Sequence, residues 1–217
     1  MEAVIFYLEP ILAGIVFLVS LTIYLRRPVE LYLRLLSFYL LLDCLVEFIT
    51  NYLALHVRNT VLLSSLTALV QFCFYIYILR EVIRSRKAKL VLLYCLVIFP
   101  LIFAGNIVLV QKSQVFQSIT YCLGCLLVVA ACIYYLWELF QKKVYFNLAR
   151  EPAFWICSGI LFYFACSFPI YGLINFISGL GQKVFHIIEI ILDFLIILLY
   201  LSFTIAFICR LRTRKLS

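Results

Sequence analysis

The sequence is short of the residues on which water-soluble domains depend. Only 13% of its 217 residues are charged, and it contains only seven glycines, five prolines and two histidines, whereas 67% of the residues are hydrophobic. An ordinary globular domain is roughly half apolar and about a quarter charged. A soluble fold of this size cannot bury so much apolar surface, and the low glycine and proline content excludes collagen-like and disordered chains. The composition predicts a polytopic membrane protein.

Apolar runs long enough to cross a bilayer recur along the whole chain. A transmembrane helix needs about 20 such residues, and the backbone polar groups of a span must be satisfied within it, so each run is predicted to be a helix. The runs cover residues 4–25, 35–55, 61–79, 90–110, 118–140, 153–178 and 185–208. They predict an all-α fold in which residues 1–217 form one seven-helix transmembrane domain.

Positive charges are concentrated in alternate connectors. Fifteen of the 18 Lys and Arg lie in the connectors after the first, third and fifth runs and in the C-terminal tail, and the other three connectors hold one each. Because Lys and Arg accumulate on the cytoplasmic side, we expect the N-terminus outside and the C-terminus in the cytoplasm of a multi-pass protein of the cell membrane. Glu2 and Glu9 replace the basic start of a signal peptide, so the first run is expected to remain as a helix.

Polar side chains inside the apolar runs are the first functional candidates, because an ionisable group is costly to keep in a bilayer. Two helix faces carry such groups, which are Asp43, Glu47 and Asn51 in the second run and His186, Glu189 and Asp193 in the seventh. The three- and four-residue spacings place each set on one side of its helix. Tyr171 and Asn175 continue a polar seam along the sixth run.

These faces have two interpretations. In the first, a polar cavity opens outward between helices 2, 6 and 7, and its acids bind a cation, a proton or a basic group of a ligand. In the second, protonated acids join neighbouring helices through hydrogen bonds. Glu9, close to the outer end of its helix, is expected to reach the membrane interface instead.

The sequence gives only weak evidence for a metal site or for reactive cysteines. His56 and His186, with Glu47 and Glu189, would supply imidazole and carboxylate ligands for a zinc-like site, but both histidines lie near the rim, where a histidine is commonly an interfacial residue. The CxxC spacing at 122–125 has neither a βαβ context nor a second Cys pair, so the nine cysteines are assigned to helix packing. No cofactor and no catalytic residue is predicted.

The densest basic segment follows the third run and contains Arg84, Arg86, Lys87 and Lys89. It is interpreted either as a topology determinant that faces the anionic inner leaflet or as a docking segment for an acidic cytoplasmic partner. Nucleic-acid binding is not expected, because the positive charges are confined to the connectors between membrane helices. Partners are therefore the lipid bilayer and a cytoplasmic or membrane protein, and the sequence leaves a homo-oligomer open.

The most distinctive stretch is EPAFWICSGILFYF at 151–164. With Asn175, an acid on helix 2 and a polar start to helix 7, it resembles a group of small uncharacterised bacterial seven-transmembrane proteins that are often encoded near sensor histidine kinases. This resemblance implies a sensory or signalling role in a bacterial inner membrane and supplies no catalytic residues. Such proteins tend to carry His and Glu on helix 3, where this chain has Gln71.

The leading hypothesis is a non-enzymatic sensor or signal-relay subunit that binds a ligand, ion or lipid between helices 2, 6 and 7 and acts through a cytoplasmic partner. The alternative is a small transporter, or a proton or cation pathway, that uses Asp43, Glu47 and Asp193. A third class, a lipid-modifying enzyme, would require His56 or His186 in catalysis. The sequence contains no P-loop, HExxH or GxSxG motif.

Overall fold

A computed structural model of the chain describes residues 8–24, 30–56, 60–109, 116–141, 148–177 and 182–213. Over these ranges the chain forms seven α-helices and one short 3-10 helix and contains no strand. The α-helices are α1 (Leu8–Tyr24), α2 (Leu31–His56), α3 (Val61–Val82), α4 (Arg86–Leu109), α5 (Ser118–Phe140), α6 (Pro152–Ile177) and α7 (Gln182–Thr213), and the 3-10 helix spans Leu148–Arg150. The prediction of an all-α fold is confirmed.

Five of these helices, α3 to α7, are long and apolar enough to cross a membrane. The other two differ: α1 is apolar but has 17 residues in the described range, and α2 carries Asp43 and Glu47 within its apolar stretch. These properties are those of a multi-pass membrane protein, and the seven-span count stays a prediction. Several helices continue past their predicted spans. The longest, α7, has 32 residues and is about 48 Å long, more than the ~30 Å thickness of the hydrocarbon core.

Six of the helices pack into a closed ring. α1 packs on α2, α2 on α3, α3 on α5, α5 on α6 and α6 on α7, and α7 returns to α1. α4 lies outside this ring, against α3 and less extensively against α5. Successive helices run in opposite directions. We call the end where α1, α3, α5 and α7 begin the amino end, and the opposite end the carboxyl end.

Aromatic side chains fill the centre of the ring. Phe72 of α3 packs against Tyr121 of α5 and Phe164 of α6, with ring centroids 5.0 and 5.2 Å apart. Tyr75, one turn from Phe72, meets Phe164 edge to face at 5.5 Å. All four side chains are buried, and edge-to-face contacts of this kind stabilise aromatic clusters beyond the area that they bury. The described part of the bundle therefore has a packed aromatic core.

Two glycines permit the closest helix contacts. A Cβ atom at Gly124 of α5 would lie 2.7 Å from the ring of Phe72, and one at Gly159 of α6 would lie 2.6 Å from the Cβ atom of Ser202 on α7. Small residues at such crossings let the backbones of membrane helices approach each other and gain van der Waals contact. The lack of a side chain at these two positions fixes the spacing of α3 from α5 and of α6 from α7.

Candidate functional site

A polar cavity of about 460 Å³ opens at the amino end between α1, α2, α6 and α7. Its polar side chains are Glu9, Glu47, Asn51, Tyr171, His186, Glu189 and Asp193. We call it the amino-end cavity. It brings together six residues that the sequence predicts as binding or metal candidates, and it adds Glu9, for which the sequence predicts a place at the membrane interface.

Helical spacing explains how these side chains converge. His186, Glu189 and Asp193 follow each other at three and four residues along α7, so that they share one face, and Glu47 and Asn51 are one turn apart on α2. His186 Nδ1 lies 3.7 Å from Glu189 Oε2, and both side chains are exposed, by 61% and 49%. Glu47 and Asp193 are half-buried. The cavity therefore runs from an exposed rim to a partly dehydrated interior.

The electrostatics of the amino-end cavity favour a positively charged occupant. Four carboxylic acids from three helices line it, and no Lys or Arg is among the described residues of its lining. Ionised carboxylates repel each other more strongly where protein and lipid reduce the local dielectric constant. A cation or a proton that binds between them removes this repulsion. The arrangement suits an ammonium or guanidinium group, protons, or a metal ion that keeps its own water shell.

Asp43 lies one helical turn nearer the carboxyl end than Glu47 and does not line the amino-end cavity. The carboxyl group is buried, with 6% of the residue exposed, and Asp43 Oδ2 accepts a hydrogen bond of 2.7 Å from the Tyr200 hydroxyl of α7. Asp43 and Glu47 share a helix face, so their spacing predicts that both belong to one site. In the folded bundle one extra turn along α2 moves Asp43 into the core, where it joins α2 to α7. This contact is the interhelical hydrogen bond of the second interpretation.

Two residues of this region were not assigned to it from the sequence. Glu9 is half-buried and lines the cavity, because α1 packs between α2 and α7; the expectation that it reaches the interface instead is not supported. Tyr200 follows Asp193 by seven residues and thus continues the polar face of α7. That spacing is a signal by which Tyr200 can be found in the sequence, whereas the position of Glu9 depends on how α1 packs.

The residues considered for a metal site do not assemble into one. In the described part of the chain, no group of three or more His, Cys, Asp or Glu side chains is placed to hold a metal ion. His56 is exposed, stacks on Tyr52 with ring centroids 4.4 Å apart, and places Nδ1 2.8 Å from the Tyr52 carbonyl oxygen. His186 is at the rim of the amino-end cavity. Asn175 lies in α6, and its side chain is outside the described part of the structure.

A second, smaller cavity of about 210 Å³ lies at the carboxyl end, among α2, α3, α5 and the start of α6. Four acids line it, namely Glu30, Glu81, Glu138 and Glu151, together with Arg84. Glu138 Oε2 accepts a hydrogen bond of 2.9 Å from the Arg84 backbone N–H. Burial, and a hydrogen bond to Glu30, raise the pKa of Tyr32, which lies just before the predicted span 35–55. We call this the carboxyl-end cavity.

An apolar layer separates the two cavities. Asp43 and Glu30 are thirteen residues apart on or next to α2, which corresponds to about 20 Å along the helix axis. Between the depths of Glu30 and Asp43 the bundle is filled by side chains with no exposed surface, among them Leu36, Leu40, Ile76 and Leu79. An ion would pass from one cavity to the other only if these helices rearranged.

The basic segment after α3 is divided between different surroundings. Arg84 lines the carboxyl-end cavity, and Arg86 is exposed at the first position of α4. Lys87 is exposed and lines a groove between α4 and α5, whereas Lys89 is half-buried. The four residues therefore have different surroundings, and the docking of an acidic cytoplasmic partner on this segment stays a prediction.

Together these features define an all-helical membrane protein with an acid-lined cavity at one end of its bundle. The chain matches no protein-family model, and comparisons with curated proteins and with solved structures gave no significant match. A function is therefore inferred from the geometry and chemistry of the cavity.

Proposed function

We propose that this chain is a seven-helix sensor or signal-relay subunit of a cell membrane, which binds a cationic ligand in the amino-end cavity and acts through a cytoplasmic partner. The observation that carries this proposal is the convergence of Glu9, Glu47, Glu189 and Asp193 on one open cavity without a lining Lys or Arg in the described chain. In the proposed topology all seven helices span the membrane and the amino end faces outward, so the ligand reaches the cavity from outside.

α7 supplies a route from the cavity to the cytoplasmic side. Its first turns line the amino-end cavity, and near its other end Cys209 Sγ donates a hydrogen bond of 3.2 Å to the Ala149 carbonyl oxygen in the 3-10 helix. The same oxygen accepts a hydrogen bond of 3.1 Å from Trp155 Nε1 of α6. A ligand that binds more tightly to one position of α7 than to another shifts the population of the two positions. A movement of α7 would change the contacts of Ala149 at the carboxyl end.

The sensory role is also suggested by the resemblance of 151–164 and its accompanying polar residues to small bacterial seven-helix proteins encoded near sensor histidine kinases. The described residues form helices and short connectors. In this proposal the output is generated by a partner that binds at the carboxyl end, where α7 contacts the 3-10 helix.

The binding step is tested by thermal unfolding of the purified chain in lipid nanodiscs with Na⁺, K⁺, Mg²⁺, Ca²⁺, choline and spermidine. At least one of these cations should raise the unfolding temperature, since a ligand that binds only the folded state stabilises it. Glu47→Gln should weaken that binding about tenfold or more, because it removes a charge from a partly dehydrated site. Glu138→Gln at the other end changes charge by the same amount and should leave the affinity unchanged. Equal affinities for both variants, or no stabilisation by any cation, would contradict the proposal.

The relay step is tested by hydrogen exchange of the same preparation with and without the stabilising cation. Exchange should change at the connector 83–85 and at 148–151, far from the cavity, as well as at the start of α7. A change confined to the residues around the amino-end cavity would argue for a binding protein without a relay.

A second candidate function is a proton or cation pathway. It is favoured by the way the acids follow each other along the axis of the bundle. Four acids line each cavity, and Asp43 with Tyr200 lies between them. In proteoliposomes a pathway should carry a flux that both Glu47→Gln and Asp43→Asn reduce, whereas the sensor should carry none. Because the apolar layer closes the route in this conformation, the sensor is the better-supported function.

A further inference from the structure

α4 and α5 are joined near the amino end and diverge toward the carboxyl end. Near the amino end, Asn106 Nδ2 of α4 donates a buried hydrogen bond of 2.6 Å to Gln117 Oε1, just before α5. Phe99 of α4 and Tyr121, in the first turn of α5, both pack against Phe72 of α3, with centroid distances of 5.7 and 5.0 Å. Nearer the carboxyl end, the two helices leave a groove of about 380 Å³.

Small side chains create this groove. Ala88 and Cys95 on α4 face Ala130 and Ala131 on α5, and they leave unfilled the space that larger residues would occupy. The floor is buried, since 8% of Leu92 and 6% of Ala131 are exposed. An apolar gap of this size stays empty only at the cost of the dispersion contacts that its lining atoms lack, and water gains few hydrogen bonds in it. In a bilayer, hydrocarbon chains are the material available to fill it.

The mouth of the groove is positively charged. Lys87, an exposed residue in the first turn of α4, lines it, and Arg86 is its neighbour in sequence. No carboxylate contributes to the described lining, because the four acids of the carboxyl end line the other cavity. Eight residues separate Lys87 from Cys95, which corresponds to about 12 Å along α4. A chain that enters beside Lys87 and ends beside Cys95 would thus reach most of the way to the middle of a hydrocarbon core about 30 Å thick.

We propose that the groove between α4 and α5 is a binding site for an anionic phospholipid, whose acyl chain lies along Ala88, Cys95 and Ala130 and whose phosphate pairs with Lys87. Basic residues at the mouth of a pocket between membrane helices are a recurrent way of holding anionic head groups. The site is separate from the amino-end cavity and from the function proposed for it. It also gives Lys87 a role in lipid recognition in place of protein docking.

The test is native mass spectrometry of the full chain, released from nanodiscs that contain equal amounts of phosphatidylglycerol and phosphatidylcholine. The unmodified protein should retain phosphatidylglycerol in preference to phosphatidylcholine. Lys87→Gln should reduce the affinity for phosphatidylglycerol about fivefold, since one Lys near the membrane surface contributes a factor of this size. It should reduce the affinity for phosphatidylcholine less, because the choline ammonium of that lipid already neutralises its phosphate. Arg150→Gln, at an exposed cation of the same end that does not line the groove, should have no such effect.

A second pair of variants separates the groove from the general surface. Ala130→Leu fills the groove and should reduce the retention of both lipids, whereas Ala104→Leu, on an exposed part of α4 beyond the groove, should reduce neither. Equal retention of the two lipids by the unmodified protein would overturn the proposal, as would equal losses for Lys87→Gln and Arg150→Gln or for Ala130→Leu and Ala104→Leu. A dimer that dissociates on Ala130→Leu would show that a second copy of the chain occupies the groove instead.

Discussion

Asp43 and Glu47 are one helical turn apart on α2, and the bundle gives them different surroundings. Glu47 faces an open cavity with three other acids, where its charge is available to a ligand. Asp43 is buried and accepts a hydrogen bond from Tyr200. The same residue class therefore supports binding at one position and helix packing at the other. The sequence shows only that the two residues share a helix face. It does not distinguish their roles, because burial depends on how deep each residue lies in the bundle.

The role of Asp43 leads to a prediction for its partner. Tyr200→Phe removes the donor and leaves a buried carboxyl group without this bond, which should lower the free energy of unfolding by about 1–2 kcal/mol. Tyr94→Phe is the control, since 65% of Tyr94 is exposed. Thermal unfolding followed by far-UV circular dichroism in detergent measures both. If the two variants unfold at the same temperature, the contact between Asp43 and Tyr200 contributes no stability.

At the scale of the helices, packing distances rather than polarity determine the architecture. α6 contacts both of its ring neighbours extensively, and Gly159 allows it to approach α7 at Ser202. The apolar faces of membrane helices resemble the lipid around them, so close contact and small residues stabilise their association. α4 lacks such a close contact with α5 at the carboxyl end. The resulting gap is the groove for which we propose a bound lipid.

Gly159→Ala tests this view of the contact between α6 and α7. The new methyl group would lie 2.6 Å from Ser202 Cβ, so the helices must separate, and overpacking of this kind costs about 1–3 kcal/mol. Gly105→Ala in α4 is the matched control, because its Cβ would meet nothing within 4 Å and alanine favours a helix over glycine by up to about 1 kcal/mol. Unfolding in SDS should therefore show Gly159→Ala to be less stable and Gly105→Ala to be at least as stable as the unmodified chain. The reverse order would contradict the packing of α6 on α7.

At the scale of the whole molecule, charge is divided between the two ends. Four acids line the cavity at the amino end, and four others line the cavity at the carboxyl end, where alternate connectors rich in Lys and Arg also lie. This asymmetry underlies both the proposed entry of a cation from outside and the proposed contact with a cytoplasmic partner. Both depend on the orientation of the bundle in the membrane.

The orientation is tested with reporters fused to the C-terminus. If the positive end faces the cytoplasm, green fluorescent protein after residue 217 should fluoresce, and alkaline phosphatase at the same point should be inactive. Fusions after Lys112, in a connector predicted to lie outside, should give the opposite result. Active phosphatase after residue 217 would reverse the proposed topology and place the amino-end cavity on the cytoplasmic side.

Composition and periodicity determined the membrane class, the all-α fold and the polar faces of α2 and α7, because these depend on residues close together in the sequence. Helical spacing alone places His186, Glu189 and Asp193 on one side of α7. The tertiary structure decided which helices are neighbours. It brought Glu9 to the cavity, moved Asp43 into the core beside Tyr200, and separated Lys87 from Arg84. These outcomes depend on how far the helices slide and rotate against one another. Apolar helices of similar composition do not encode that packing in any short stretch of sequence, because it is set by the fit of many side chains at once.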